Sequence, residues 1–194
     1  MKYRAAFVLA AVVSLSGCGI NSVPTAEENA KAKWADVQNN YQRRADLIPN
    51  LVATVKAAGA QEKSILVEVT QARASASQVQ VSGGDLTDPA KVAAYEKAQA
   101  GVTLSLQRLQ EAYPELKSQG NYTVLMSQLE GTENRITIAR ADYNTAVQSY
   151  NTTIHTFPDA VGAKLFYGAK PMVPFQATTP GAEAAPAVNF GNSN

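Results

Sequence analysis

Apolar residues recur at alternating spacings of three and four along a continuous run from Ala26 to Val81. Side chains three and four positions apart lie on one face of an α-helix, so the run predicts a long helix with a single apolar stripe. The stripe consists of Trp34, Val37, Tyr41, Ala45, Ile48, Val52, Val55, Ala58, Ile65, Val69, Ala72, Ala76 and Val79. Because such a stripe is stable only when it is covered, the pattern predicts partner helices.

The start of this helix and one irregularity inside it are also readable from the sequence. Thr25 is followed three residues later by Glu28, the pattern of a capping box, which predicts a helix beginning near Ala26. Pro49 lies inside the stripe, lacks a backbone N–H and predicts that the helix is kinked or broken there. The stripe keeps its phase through Pro49, which favours a kink; a tight reversal that makes two helices is the alternative.

Two further apolar stripes follow. Gly83-Gly84 ends the first segment, Asp88-Pro89 supplies an N-cap and a proline at the first helical position, and Tyr113-Pro114 ends the second helix. The third stripe runs from Tyr122 to Phe157 and stops at Pro158. No sustained alternation of period two is present. The sequence therefore predicts an all-α fold, an elongated antiparallel bundle of three to four long helices.

The end of the chain is different in composition. We expect one more short helix over residues 159–165, and we expect Phe166, Tyr167 and Phe175 to be the last residues that pack, over one end of the bundle. From Ala177 the chain consists mainly of small and polar residues with Pro and Gly, too few of them apolar to offset the entropy of ordering. This segment predicts a disordered tail.

The first residues have the pattern of a targeting signal. Lys2 and Arg4 precede an apolar run, Ala5 to Leu15, which is about half as long as a bilayer crossing requires. The run leads into Leu15-Ser16-Gly17-Cys18, which resembles the bacterial lipobox, where the cysteine is acylated and becomes the first residue after cleavage. The alternative is a coincidental cysteine in an ordinary signal peptide or short anchor.

Lipidation at Cys18 would determine where the protein is located and how the chain is divided into segments. Several acyl chains on one residue give stable anchoring, so the membrane is an expected partner and the protein is expected in the bacterial cell envelope, facing the periplasm. By resemblance to lipoprotein sorting in bacteria with two membranes, Gly19 favours the outer membrane over the inner. The predicted segments are a lipoprotein signal peptide (1–17), a lipidated linker (18–25), a helical domain (26–175) and a tail (176–194).

Charge and residue counts exclude several functions. The chain has 17 basic and 16 acidic residues, which gives no electrostatic basis for binding nucleic acid or an anionic lipid surface. Cys18 is the only cysteine and His155 the only histidine, so we expect no metal site and no cofactor. A catalytic histidine needs a nucleophile and an orienting acid, and Ser149 and Asp159 are near His155 only in sequence. A surface or capping role for His155 is favoured over a role as a base.

One set of charged and polar residues lies beside the stripes of the first and third helices. Arginine guanidinium groups there could meet carboxylates across a helix interface. One interpretation is an ion network that fixes helix register, and the other is a ligand or partner site formed by the same groups. The candidate residues are Arg43, Arg44, Asp46, Glu133, Asn134 and Arg140, with Asp142 and Asn144 beside them.

Several blocks resemble the LemA family. They are Trp34-x-x-Val37-x-x-x-Tyr41-x-Arg43-Arg44-x-Asp46-Leu47-Ile48-Pro49-Asn50-Leu51-Val52, Ala72-Arg73, Tyr113-Pro114-Glu115-Leu116-Lys117, Glu133-Asn134-x-Ile136-x-x-x-Arg140-x-x-Tyr143-Asn144 and Tyr150-Asn151-x-x-Ile154-x-x-Phe157-Pro158. The blocks, their order and their spacing agree over about residues 30 to 175. The usual Gly-Phe near the end is replaced by Phe166-Tyr167-Gly168. The resemblance implies an elongated antiparallel helical bundle attached to a membrane at its N-terminus; no enzymatic activity is established for the family as a whole, so the resemblance leaves the function open.

Three functions are consistent with these features. The first is a non-catalytic scaffold or adaptor that binds another envelope protein. The second is an enzyme or enzyme subunit acting on envelope material through the Arg/Asp/Glu set. The third is a carrier of a small hydrophobic ligand between helices. The sequence specifies neither the partner nor the oligomeric state. The scaffold is favoured because the sequence contains no recognisable set of catalytic residues.

Overall fold

The computed structural model describes residues 21–59 and 62–176. Every regular element within these ranges is helical, which confirms the all-α prediction. The signal peptide, Cys18 and the tail from residue 177 lie outside the described residues, so the predictions that concern them stand as predictions.

The described residues form five α-helices: α1 (Ser22–Ala57), α2 (Lys63–Gln78), α3 (Pro89–Ala112), α4 (Gly120–His155) and α5 (Asp159–Gly162). Short 3-10 turns at Gly83–Thr87 and Pro114–Ser118 precede α3 and α4. A π-helical turn, Ala163–Tyr167, continues from α5. Residues 168–176, which have no regular secondary structure, are called the C-terminal strap.

The start of α1 differs from the prediction. The helix begins at Ser22, and the Thr25 hydroxyl donates back to the Asn21 carbonyl at 2.7 Å instead of capping the helix. Pro24 is tolerated in this first turn because its missing N–H would have no helical partner there. Val23 is fully buried, so tertiary packing extends the helix by one turn beyond the local signal.

The break between the first two helices lies after Pro49 and not at it. α1 continues through Pro49 to Ala57, and the chain turns near Gly59, whose φ of +86° is a left-handed conformation that glycine adopts without strain. A reversal at Pro49 is therefore wrong, whereas a kink there stays a prediction. The apolar run from Ala26 to Val81 is divided between two helices, α1 and α2.

A side chain from α2 compensates for the missing N–H of Pro49. In a regular helix the N–H of residue 49 would donate to the carbonyl of Ala45. Here Arg73 Nε donates to Ala45 O at 2.7 Å. The carbonyl that the proline leaves without an intrahelical donor is thus satisfied by a residue 28 positions away, and α1 stays continuous.

Replacing Arg73 by methionine should lower the free energy of unfolding by about 1 kcal/mol, because the Ala45 carbonyl loses its donor. In a Pro49→Ala background the alanine N–H would bind that carbonyl, and the same substitution should cost clearly less. Urea denaturation of the two single variants, the double variant and the parent gives the coupling free energy. Strictly additive costs would contradict the compensation.

The two long helices, α1 and α4, have 36 residues each and pack side by side in opposite directions. At the start of α1, Ser22 Oγ donates to Asp159 Oδ1 at 2.6 Å, just beyond the end of α4. Near their middles, Arg44 Nη1 lies 2.6 Å from Glu133 Oε1. At 1.5 Å per residue each helix is about 54 Å long, so this pair sets the length of the molecule.

The shorter helices α2 and α3 pair with each other, also in opposite directions. Arg108 Nη1 on α3 lies 2.6 Å from Glu68 Oε1 on α2, and the Tyr113 hydroxyl donates to Glu62 O at 3.0 Å. The segment that joins them returns along α1, where Trp34 Nε1 donates to Val81 O at 2.9 Å.

Buried apolar residues form two clusters along the long axis. The basal cluster lies around the start of α1 and the end of α4 and includes Val23, Trp34, Tyr41, Tyr95, Tyr143, Ile154, Ala163 and Phe175. The distal cluster lies at the other end and includes Ile48, Leu51, Val69, Leu106, Leu109, Tyr122 and Leu129. Arg44 lies between Tyr41 and Ile48, where the two clusters meet.

Three aromatic residues of the predicted stripes and end-packing are placed differently from the prediction. Phe175 is buried, as expected, but Phe157 and Phe166 are 86% and 71% exposed, and Tyr167 is 42% exposed. The chain turns at Phe157 and carries this side chain away from the seam of α4. The apolar spacing continues to Phe157 although the helix ends at His155, so periodicity alone does not predict the change of direction.

Candidate functional site

Arg44 is buried in the centre of the molecule with only 1% of its surface exposed. Its Nη1 donates to Glu133 Oε1 at 2.6 Å and to Thr103 Oγ1 at 2.8 Å. Its Nη2 donates to the backbone oxygen of Gln99 at 3.0 Å and to the Oε1 of Gln99 at 2.8 Å. The guanidinium carbon lies 4.9 Å from the centre of the Tyr41 ring.

These five residues, called the Arg44 cluster, come from three helices. Tyr41 and Arg44 lie on the buried face of α1, Gln99 and Thr103 are four residues apart on one face of α3, and Glu133 extends from α4. A charged group inside a protein is tolerated when it is paired and its donors are occupied. The Arg44 guanidinium meets this condition, so the cluster fixes the relative positions of the three helices.

The other residues of the predicted set are not in this cluster. Arg43, Asp46 and Asn134 are exposed, and the Asp46 carboxylate accepts a hydrogen bond from Gln42 Nε2 at 2.7 Å. Arg140 lies about two helical turns beyond Glu133 on α4, where its Nη2 is 3.7 Å from Glu96 Oε1 and donates to Gln176 O at 2.9 Å. The structure thus brings Arg44 and Glu133 together and gives Arg140 a separate role.

Two asparagines on α4 hold the C-terminal strap. Asn144 donates to Phe175 O at 3.0 Å and accepts from Phe175 N at 2.8 Å. Asn151 forms the same pair of bonds with Met172, at 2.9 and 2.8 Å. The two asparagines are seven residues apart, which is two helical turns, so both face the strap. The repeated Tyr-Asn pairs at 143–144 and 150–151 are the sequence signal for this contact.

The end of the strap lies against a carboxylate that is partly withdrawn from water. Glu96 Oε1 accepts from the backbone N of Gln176 at 2.9 Å. Burial raises the pKa of Glu96, an effect that this hydrogen bond and the nearby Arg140 oppose. Burial likewise raises the pKa of the phenols of Tyr41, Tyr95 and Tyr143, so these hydroxyls are neutral core groups.

An open groove lies between α3 and α4 next to the Arg44 cluster. Its larger part has a volume of about 440 Å³ and an apolar floor, and a smaller part of about 270 Å³ continues towards Arg140. We call it the α3–α4 groove, and its lining includes Thr103, Leu106, Gln107, Gln110, Tyr122, Met126, Leu129, Glu130 and Glu133. Leu104, which is 49% exposed, stands at the smaller part.

The groove has one unusual polar group. Tyr122 lines it and is almost fully buried, and its hydroxyl has no hydrogen-bond partner among the described residues. Burial raises the pKa of this phenol. A buried hydroxyl without a partner is costly, so the distal end of the groove is not optimised for stability alone.

His155 does not form a catalytic arrangement in the described part of the chain. It is exposed at the end of α4, and its Nδ1 lies 2.6 Å from the Asn151 carbonyl oxygen. Asp159, the acid nearest in sequence, accepts a hydrogen bond from Ser22. Residues 21–59 and 62–176 contain no group of His, Cys, Asp and Glu side chains suited to hold a metal ion.

Sequence reasoning missed the contribution of α3. Gln99 and Thr103 share a helix face with Tyr95, but the apolar stripe that predicts α3 contains neither of them, because both are polar. The signal for this contact is a pair of polar residues at spacings of four after Tyr95, in a helix that is expected to face Arg44. Glu96 carries no such signal, because its partner Gln176 belongs to a segment without periodicity.

The fold and the buried cluster define an all-helical protein built on two long paired helices that a central arginine ties to a third. A LemA family model matches residues 33–190, and the chain belongs to that family. It is 30% identical over 157 residues to the magnetosome proteins MamQ 1 and MamQ 2 of Paramagnetospirillum magneticum, a match that covers 71% of this chain and 58% of each relative. The magnetosome protein MamQ of Magnetospirillum gryphiswaldense is 29% identical over the same extent. The chain thus spans little more than half the length of these relatives.

Proposed function

We propose that the chain is a lipoprotein of the bacterial envelope, anchored through acyl chains on Cys18, whose helical domain is a non-catalytic scaffold that binds another envelope protein. The Leu15-Ser16-Gly17-Cys18 sequence after a basic and an apolar segment supports the anchor. α1 begins at Ser22, four residues beyond Cys18, so the anchor would connect almost directly to the long helix pair. In a host with two membranes, Gly19 favours the outer membrane, with the domain facing the periplasm.

No helix in the described ranges combines the length and the apolarity that a bilayer crossing requires.

The α3–α4 groove is the observation that carries the scaffold role. Its floor contains Leu106, Met126 and Leu129, its rim contains Gln107 and Glu130, and it lies between two helices. An apolar floor between polar rims is typical of a surface that receives an amphipathic helix. We therefore propose that an amphipathic helix of an envelope protein binds there.

The geometry of the Arg44 cluster favours a scaffold over an enzyme that acts through the same residues. The guanidinium is 1% exposed, and both of its terminal nitrogens are used by protein oxygens. A group that stabilises a reacting substrate has to reach it, and here the donors are already occupied within the fold. The cluster thus has a structural role: it holds α3 and α4, the two helices that form the groove, against α1.

The anchor is tested by replacing Cys18 with alanine. Because the thiol is the site of acylation, the variant should appear as a soluble chain or an unprocessed precursor, while the parent fractionates with membranes. Fractionation and intact-mass measurement distinguish the forms. A fully processed Cys18→Ala chain that remains in the membrane fraction would refute lipidation.

The scaffold role is tested by placing a photocrosslinking amino acid at Leu104 in cells, with Val67 as the matched control. Val67 is also an exposed apolar residue, 50% against 49%, but it lies on α2 away from the groove. We expect one crosslinked envelope protein at position 104 that is absent at position 67, and we expect its yield to fall when Met126→Glu places a charge in the groove. The same products at both positions, or a yield that Met126→Glu does not change, would contradict the proposal.

A further inference from the structure

Exposed apolar side chains are concentrated at the basal end of the molecule. Within residues 21–59 and 62–176, nine large hydrophobic side chains are exposed, and five of them lie between residues 157 and 167. We call these five the basal patch: Phe157, Val161, Leu165, Phe166 and Tyr167. The other four are single residues on α2, α3 and α4, which is usual for a protein surface. A cluster of this kind marks an interaction surface.

A surface helix usually turns its large apolar side chains towards the core, and the segment that carries the basal patch does the reverse. The small residue Ala163 faces inwards, where it is 2% exposed and packs in the basal cluster with Val23 and Ile154. The large residues Leu165 and Phe166 are 72% and 71% exposed. The fold therefore buries the methyl group of Ala163 and leaves the larger apolar side chains exposed. This arrangement indicates that another apolar surface covers them.

This patch lies next to the point where the described chain begins. Ser22 Oγ donates to Asp159 Oδ1 at 2.6 Å, which fixes α5 to the first turn of α1. Cys18 precedes Asn21 by three residues, so its Cα lies within about 11 Å of that of Asn21 whatever path the chain follows. An acylated Cys18 would hold this end of the molecule at the bilayer surface.

The polar residues around the patch fit a lipid headgroup layer. Lys164 and Lys170 are exposed, and the one acidic residue between positions 157 and 176 is Asp159, which is bonded to Ser22. A tyrosine ring such as that of Tyr167 is favoured at the level of the headgroups, where its apolar body and its wet hydroxyl both fit, and Phe and Leu side chains enter the apolar boundary beneath. The chain as a whole is nearly neutral, but these two exposed lysines lie beside the patch, where they can pair with anionic lipid phosphates. The segment has both features.

We propose that the basal patch docks into the interface of the bilayer to which Cys18 is attached; this inference rests on the lipid anchor proposed above. A single covalent attachment leaves the domain free to tilt, whereas a second contact beside it restricts the tilt. The helix pair then projects from the membrane and holds the α3–α4 groove away from it. The occupant of the patch is thus lipid, and not a protein or a second copy of this chain.

The test uses the full, lipidated chain in vesicles of phosphatidylethanolamine and phosphatidylglycerol, with a nitroxide spin label on an introduced cysteine. The label is placed by Phe166→Cys or Phe157→Cys, and the control is Val124→Cys. Val124 is also exposed, but it lies near the start of α4, about 46 Å from His155 along the helix axis. Because acylation occupies the sulfur of Cys18, only the introduced thiol reacts.

Collision of the label with oxygen and with a water-soluble nickel chelate distinguishes the outcomes. Docking predicts a several-fold lower collision rate with nickel at positions 157 and 166 than at 124, together with a higher rate with oxygen, which concentrates in lipid. Low rates with both reagents would show that protein covers the patch and would overturn the proposal. Nickel rates equal to the control, in a chain that floats with the vesicles, would overturn docking while the anchor stands. A parent chain that does not float would refute the anchor and the docking with it.

Discussion

Replacing Arg44 by alanine should lower the free energy of unfolding by about 3 kcal/mol, because truncating one member of a buried ion pair leaves the other polar groups without partners. Gln99 would lose both of its bonds to the guanidinium, and the Thr103 hydroxyl would lose its donor. Glu133 is less affected, since its side chain is 37% exposed and water can reach it. Urea denaturation followed by circular dichroism measures the loss.

The adjacent arginine is a matched control for the Arg44 substitution. Arg43 is exposed on a neighbouring face of the same helix turn, so Arg43→Ala should change the free energy of unfolding by less than about 0.5 kcal/mol. Arg44→Lys keeps the charge but not the fork that binds Gln99 and Glu133 together, and its stability should lie between those of the parent and Arg44→Ala. Equal losses for Arg43→Ala and Arg44→Ala would contradict the central role of the cluster.

Replacing Trp34 by alanine should cost about 4 kcal/mol, the largest loss that we expect from one substitution, because it opens a cavity among aromatic side chains. The Trp34 ring lies 5.2 Å from that of Tyr95, 5.3 Å from that of Tyr143 and 5.4 Å from that of Phe175. It therefore joins α1, α3, α4 and the strap. Its indole N–H donates to Val81 O.

A phenylalanine at this position separates packing from hydrogen bonding. Trp34→Phe keeps an aromatic ring and removes the N–H, while Gln38 Nε2 still donates to Val81 O at 3.1 Å. We expect a loss of about 1 kcal/mol for this variant. Amide hydrogen exchange at Phe175 should accelerate strongly in Trp34→Ala and little in Trp34→Phe. Equal losses in the two variants would show that the hydrogen bond, and not the ring packing, is the main contribution.

The sequence predicted the course of the helices better than the site. Asp88 caps α3 by accepting from Ala90 N at 2.9 Å, and α3 ends at Ala112, before Tyr113-Pro114. These signals are local, since a cap or a proline acts within one turn. The pairing of Arg44 with Glu133 joins residues 89 positions apart, so facing stripes could only indicate that a carboxylate and an arginine would be near one another.

The choice between Arg43 and Arg44 shows where local reasoning stops. Both flank the stripe, and neighbouring residues point about 100° apart on a helix. The structure buries Arg44 because Gln99, Thr103 and Glu133 approach from two other helices on that side. It leaves Arg43 exposed. Which arginine is buried thus depends on where these three partner residues lie in space, and that cannot be read from the order of residues along α1.

The sequence by itself determined that this protein is all-helical, where α3 and α4 begin and end within two residues, and most of the positions that form its seams. Helical pitch and the backbone limits of Pro and Gly act over a few residues, so these features are local. Only the tertiary structure decided that α1 continues through Pro49, that two asparagines hold the strap, and that Phe157 and Phe166 face outwards. Each of these depends on a group far away in sequence: Arg73 for Pro49, Met172 and Phe175 for the asparagines, and Ser22 for the segment at the base. A carbonyl, an amide or an apolar ring finds its partner in space, and that partner is fixed only when the helices have packed.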